Sequence, residues 1–109
     1  MDGKYIQQFK KGALEMILLS LIARGETYGY ELIKNVSPVV EISESTLYPI
    51  LRRLEAGGLV SVRSAEHNGR LRKYYSITPL GENRITEFLS DWNEILKICK
   101  FIEGKHGHD

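Results

Sequence analysis

The stretch Glu41-Ile-Ser-Glu-Ser-Thr-Leu-Tyr-Pro-Ile-Leu-Arg-Arg-Leu-Glu-Ala-Gly-Gly58 decides how the chain folds. It opens on Ser43, Ser45 and Thr46, whose hydroxyls can accept bonds from the free N–H groups of a helix start. It closes on Gly57-Gly58, the residues that most readily take the left-handed conformation ending a helix. Leu47, Ile50, Leu51 and Leu54 recur at helical spacing, so a helix over Ser43–Gly57 gathers them on one face. The other face carries Ser45, Thr46, Tyr48, Pro49, Arg52 and Arg53, with no acid among them. Hydroxyls, a phenol and guanidinium groups on one surface suit phosphate oxygens and base edges.

Downstream, Leu59–Ser64 and Leu71–Ile77 have the composition of strands, with His67-Asn68-Gly69 between them. Asn-Gly is a strong hairpin signal because both residues tolerate positive φ. Alternation assigns Leu71, Tyr75 and Ile77 to the buried face, and Arg70, Arg72 and Tyr74 to the other. Lys73 shares the buried parity and sends its ammonium outward past the hairpin's end. A helix with a cationic face followed by a cation-tipped hairpin reads as the recognition helix and wing of a winged helix-turn-helix.

Upstream, Phe9–Arg24 reads as a helix ended by Gly25, and it is apolar almost all the way round. Ala13, Leu14, Met16, Ile17, Leu18, Leu19, Leu21 and Ile22 leave little polar surface, so burial on more than one side is expected. A partner chain is expected to cover the second side. Thr27 is the expected N-cap of a short helix, Tyr28–Val36, which buries Leu32, Ile33 and Val36. Ser37-Pro38 ends it, because the residue before proline avoids the helical region. Met1–Gln8 carries no clear signal.

Thr78-Pro79 starts the last helix, with threonine as cap and proline at the first helical position. Ile85, Phe88, Trp92, Ile95, Cys99 and Ile102 then fall at alternating steps of three and four, the seam of a coiled coil, widened by Leu89 and Leu96. Gly104 ends the helix, and Lys105–Asp109 reads as a frayed tail. The expected architecture is α+β and mainly α: three helices plus a β-hairpin wing, with a long C-terminal dimerisation helix. Residues 1–78 form the winged unit, 79–104 the dimerisation helix and 105–109 a disordered tail.

The totals fit this plan. A chain of 109 residues, 42% apolar and 27% charged, is one ordinary globular domain with a net charge of only +1. The distribution of charge is more telling than its sum. Ser43–Tyr75 holds six bases against three acids, whereas Ser76–Gly104 holds three bases against five acids. A lone Cys99 can form no internal disulfide, so nothing calls for an oxidising compartment. Lys10-Lys11 before an apolar run imitates a signal peptide. Glu15 and Ser20 interrupt that run, no small-residue cleavage site follows, and it is too short to span a bilayer. A cytoplasmic protein without membrane contact is expected.

Taken together, Lys11-Gly-Ala-Leu-Glu15, Tyr28-Gly-Tyr-Glu-Leu32, Thr46-Leu-Tyr-Pro-Ile-Leu-Arg-Arg-Leu-Glu55, Gly58-Leu59 and Gly69-Arg-Leu-Arg-Lys-Tyr-Tyr-Ser-Ile-Thr78 resemble the PadR family of bacterial transcriptional regulators. The resemblance runs from Phe9 to Gly81. Its single long C-terminal helix is similar to that of the short subclass, whose members are homodimers built on that helix. The Asp91-Trp92 region also resembles the LmrR-like multidrug-binding branch, which implies that Trp92 stacks on a planar aromatic effector at the twofold axis. Trp92 is the one residue that carries this second resemblance. The bland alternative for Trp92 is a dry anchor of the dimer interface.

These readings imply a homodimeric regulator, a repressor released by a small molecule, on a near-palindromic operator in double-stranded DNA. Ser45, Thr46 and Tyr48 are the candidates for base edges. Arg52, Arg53, Arg70, Arg72 and Lys73 are the candidates for phosphates, with Tyr28 and Tyr30 donating hydroxyl bonds to the DNA backbone. Ile85, Phe88, Leu89, Trp92, Ile95, Leu96, Cys99 and Ile102 are the candidate dimer interface. The alternative is a winged-helix module that binds protein and no DNA. No nucleophile, base and orienting group can be assembled, so no enzyme and no cofactor are expected. His67 lies in the hairpin turn and His106 and His108 in the tail, which does not make a metal site.

Overall fold

The computed structural model describes residues 3–104, which run α1 (Lys4–Ala23), α2 (Gly29–Val36), α3 (Glu44–Ala56), β1 (Val60–His67), β2 (Arg70–Ile77) and α4 (Pro79–Glu103). This is the mainly helical α+β arrangement, hairpin included, that the sequence implies. Among the described residues no helix is long and apolar enough to cross a membrane.

Helix α3 buries Leu47, Ile50, Leu51 and Leu54, the four residues that its spacing puts on one face. Each side chain so buried contributes about 1.5–3 kcal/mol relative to exposure. Its end is a full left-handed cap. Gly58, at φ 75°, lets its own N–H reach the Glu55 carbonyl at 3.0 Å and that of Leu59 reach Leu54 at 2.9 Å. The start differs from expectation. Ser43 is the cap residue, but no side chain caps the helix, and its hydroxyl pairs instead with that of Ser45 at 2.8 Å. Pro49 lies inside the helix and lacks the N–H that would bond the Ser45 carbonyl.

Helix α1 begins at Lys4 rather than Phe9 and ends at Ala23, with Arg24 as its cap. It is central to the fold: α2, β2 and α4 of the same chain all pack on it. Leu18, Leu19 and Ile22 are fully buried, and Met16, Ile17 and Leu21 are half-buried against the same core. Most of its all-round apolar pattern is thus answered within one chain. Its uncovered apolar side chains lie at the N-terminal end, where Tyr5 is 82% exposed and Ile6 and Phe9 are also open.

Helix α2 corrects the expected cap. Its cap residue is Tyr28, without a side-chain bond, because Thr27 is committed elsewhere. The Thr27 backbone exchanges two hydrogen bonds with Tyr75, at 3.1 and 2.8 Å, and adds a one-residue third strand to the hairpin. Its hydroxyl donates to Glu31 Oε1 at 2.7 Å. Leu32 and Val36 are buried and Ile33 half-buried, as the pattern implies.

The hairpin pairs antiparallel from Val60 with Ile77 to His67 with Arg70. Asn68 (φ 53°) and Gly69 (φ 79°) form the turn, both in the left-handed region that a tight hairpin turn demands. Both strands extend further toward the turn than composition suggests. Leu71 is 80% exposed, against the expectation that it is buried. Its parity matches that of Tyr75, but the core stops at Tyr75 and the hairpin projects beyond it. Parity assigns a face and says nothing of whether anything covers it.

Thr78 caps α4 as expected: its hydroxyl oxygen accepts from the Gly81 N–H at 3.0 Å and donates to the Gly58 carbonyl at 2.7 Å. Pro79 takes the first helical position. Gly81 is where this helix meets the hairpin, since a methyl there would overlap the Leu59 carbonyl and the Ile77 side chain. Ile85 then reaches the core, and Trp92 packs on Phe9 of α1 with ring centroids 5.4 Å apart. Beyond Trp92 the helix leaves the domain and gives the molecule extents of 65 × 33 × 20 Å. Residues 105–109, expected to be a tail and including His106 and His108, lie outside the described residues. Gly81→Ala is expected to destabilise the fold by about 1–3 kcal/mol, because backbone rather than a movable side chain blocks the new methyl. Thermal melting followed by circular dichroism checks this, and an unchanged midpoint would contradict the contact.

Candidate nucleic-acid interface

Three elements converge on a cleft of about 670 Å³: the start of α2, the outward face of α3, and the wing. Tyr28, Tyr30, Tyr48, Arg52, Arg70, Arg72 and Lys73 all line it, and these are seven of the residues expected to contact DNA. Ser45 and Thr46 are exposed on the first turn of α3, outside the cleft's lining. Arg53 points elsewhere: its guanidinium meets Glu15 of α1, with Nε 3.0 Å and Nη2 2.9 Å from the same carboxylate oxygen. It shares the polar half of the helix with Arg52, and spacing alone therefore places both among the phosphate contacts. Its partner is an acid of α1, 38 positions earlier in the chain, which no helical spacing connects to it.

Several lining residues were not foreseen, among them Glu55, His67, Asn68 and Tyr75. Tyr75 combines a buried ring with a phenol at the cleft, and burial, first of all causes, pushes its pKa up. The phenol therefore stays protonated and able to donate. Tyr48 rests against Gly29 so closely that any side chain at position 29 would collide with its hydroxyl. The atoms met there are the far end of the Tyr48 side chain, so a methyl at position 29 displaces the phenol rather than the backbone.

On the outer face of the wing an unbroken series of contacts joins the hairpin to α2. Arg63 holds Glu26 through two hydrogen bonds, at 2.7 and 2.8 Å, and Ser76 adds a third at 3.3 Å. The hydrogen bond from Arg63 holds the Glu26 carboxyl below its ordinary range, and Glu26 correspondingly raises the Arg63 guanidinium. Arg63 also lies 4.7 Å from the Tyr74 ring centre, and Tyr74 meets Tyr28 edge-on at 5.9 Å. Arg72 caps the series, 3.9 Å above the Tyr28 ring. Of these, Glu26, Arg63 and Tyr74 were not singled out from sequence as site residues. The only sequence signal was the presence of Arg63 and Tyr74 on one face of a hairpin.

The sequence profile of the transcriptional regulator PadR-like family matches residues 18–87. The chain belongs to that family. A transcriptional regulator of Mycobacterium tuberculosis is 31% identical over 104 residues, spanning 94% of each protein. The crystal structure of a PadR-like transcription factor from Bacteroides fragilis superimposes with a TM-score of 0.78, at 31% identity over 91% of this chain and 98% of that one. Bacillus subtilis PadR, solved with operator DNA, shares the fold at a TM-score of 0.65 and 23% identity, over 70% of this chain and 46% of its own.

The second feature of the PadR-like chain is an apolar surface along α4. Leu89, Ile95, Leu96 and Cys99 are exposed, and Ile102 is 76% exposed, all on the expected seam. Ile85, Phe88 and Trp92 are half-buried against their own chain. Tyr5, Ile6, Ile98 and Phe101 are exposed too and were absent from the expected interface. Among the described residues no cluster of metal-ligating side chains occurs. Because the Tyr48 phenol is half-exposed and free to swing, Gly29→Ala is expected to change stability by less than about 1 kcal/mol. The Tyr48 ring resonances should nevertheless shift clearly in NMR spectra, and an unmoved ring would show that the contact with Gly29 is not formed.

Proposed function

We propose that the chain is a homodimeric repressor that binds a near-palindromic operator in double-stranded DNA. The observation that carries this is the cleft itself, where four cations and four tyrosines from α2, α3 and the wing face one space. Each copy lays α3 in a major groove, with Ser45, Thr46 and Tyr48 at base edges. Arg52, Arg70, Arg72 and Lys73 neutralise the flanking phosphates, and Tyr28 and Tyr30 donate hydroxyl bonds to the backbone. Arg53 joins them on exchanging Glu15 for a phosphate. That the same fold has been crystallised on operator DNA in Bacillus subtilis PadR supports the reading.

Dimerisation through residues 79–104, with residues 1–78 as the reading unit, is supported by the apolar face of α4. Contiguous exposed apolar surface marks an interaction site, and seam spacing selects a helix as partner. Two copies then set their reading helices about 34–36 Å apart, one turn of DNA. Trp92, with Phe9 beside it, is the candidate platform for a planar aromatic effector that changes that spacing.

Binding to the DNA just upstream of the chain's own gene is expected to weaken steeply with salt, as counterion release requires. Arg52→Glu combined with Arg70→Glu should abolish it while leaving the dimer intact by analytical ultracentrifugation. Undiminished binding would remove both residues from the interface. In the converse experiment, Ile95→Glu with Ile102→Glu should yield monomers and lower DNA affinity, and a persisting dimer would refute assembly through α4. Trp92 fluorescence is expected to change saturably on titration with a planar aromatic dye, and a flat response would count against the effector site. A chain that binds no DNA even at low salt would favour the protein-docking alternative.

A further inference from the structure

We infer that Glu26 and Arg63 form a positioning pair that aims Arg72 of the wing, acting through the rings of Tyr74 and Tyr28. The inference rests on the DNA-binding reading and assigns a role to residues outside the cleft. Arg63 does not line the cleft, and two of its N–H groups are spent on Glu26, so its charge is already matched. It is the wrong residue to hold a phosphate and the right one to hold a hairpin.

Arg63 and Tyr74 are cross-strand partners, so the guanidinium and the ring lie side by side on one face of the wing. Arg72 is two residues before Tyr74 on that face, and its own partner is the small Ala65, which leaves the arginine nothing to lean on across the hairpin. It leans instead on Tyr28, 3.9 Å below its guanidinium carbon. Tyr28 in turn is braced by the Tyr74 edge, and Tyr74 by Arg63. Glu26 comes from the turn between α1 and α2, next to Thr27, whose backbone is fixed to Tyr75. The carboxylate therefore ties the outer strand of the wing to the segment that carries Tyr28. A long side chain held in one orientation before binding loses less entropy on contact.

Simple electrostatics and positioning predict opposite signs for one substitution. Glu26→Gln removes an acid near the DNA, which by charge alone tightens binding. If the pair positions Arg72, the same change weakens it. With the full-length chain and a fluorescein-labelled duplex of the DNA upstream of its own gene, Glu26→Gln is expected to lower affinity roughly three- to tenfold. In an Arg72→Ala background the same substitution should have almost no effect. Arg63→Lys, which keeps the charge but cannot make the planar double bond to Glu26, should reproduce the loss.

Unchanged or tighter binding by Glu26→Gln overturns the inference, as does an equal loss in the Arg72→Ala background. A readout without DNA separates this from the functional reading. Over a ring face the Arg72 side-chain N–H resonance is displaced upfield, and Glu26→Gln should return it toward its solvent position without a change in the thermal midpoint. If the wild-type chain binds no DNA, the functional reading fails. The NMR shift then decides the pair on its own, and an Arg72 resonance that does not move in Glu26→Gln overturns it.

Discussion

The backbone exchange between Thr27 and Tyr75 is the constraint on which the rest of the reading surface depends. Two hydrogen bonds hold the entry to α2 against the second strand of the wing. Tyr75 is buried under that contact at 4% exposure, so the pair sits at the boundary between core and cleft. Everything that follows Thr27 is thereby placed: Tyr28 under Arg72, Gly29 beside Tyr48, Tyr30 at the rim. Without it the hairpin backbone would be fixed only at its base, near Leu59, Val60 and Ile77, with side-chain contacts such as Arg63 to Glu26 and Arg72 to Tyr28 left to hold the rest. A two-stranded ribbon alone is marginal in water, so a wing able to present cations in register needs a third attachment.

Much of this was legible in the chain because the signals are local. Four apolar residues at helical spacing, Asn68-Gly69, Gly57-Gly58 and Thr78-Pro79 each specify their conformation within a few residues. The family match and the fold follow the same local pattern. What stayed hidden is what depends on distance in sequence. Arg63 and Glu26 are separated by 37 positions and Arg53 and Glu15 by 38, and no periodicity links either pair. Arg52 and Arg53 looked equivalent in sequence. One lines the cleft and the other turns to α1, because adjacent helical residues diverge by about 100°.

The errors of expectation have a common physical source. Alternation places Leu71 in the core and residue type places Thr27 at a cap, yet both roles are set by what lies opposite. At Leu71 nothing lies opposite but Glu66. At Thr27 a strand does, and a backbone that is already pairing with Tyr75 leaves its hydroxyl to Glu31. The first helix is the reverse case. Its apolar surround suggested a missing neighbour, and three neighbours from its own chain supply most of the cover.

The packing around Gly81 has a mechanical consequence. With the Leu59 carbonyl and the Ile77 side chain filling the space where even one methyl would go, the first turn of α4 has no clearance in which to pivot. Trp92 on Phe9 supplies a second fixed point further along. A rod clamped at two places on a close-packed body does not bend at the clamp. The helix and its winged head turn together as one rigid arm, so a force applied to the far end of α4 is passed to the wing and α3 rather than absorbed at the joint.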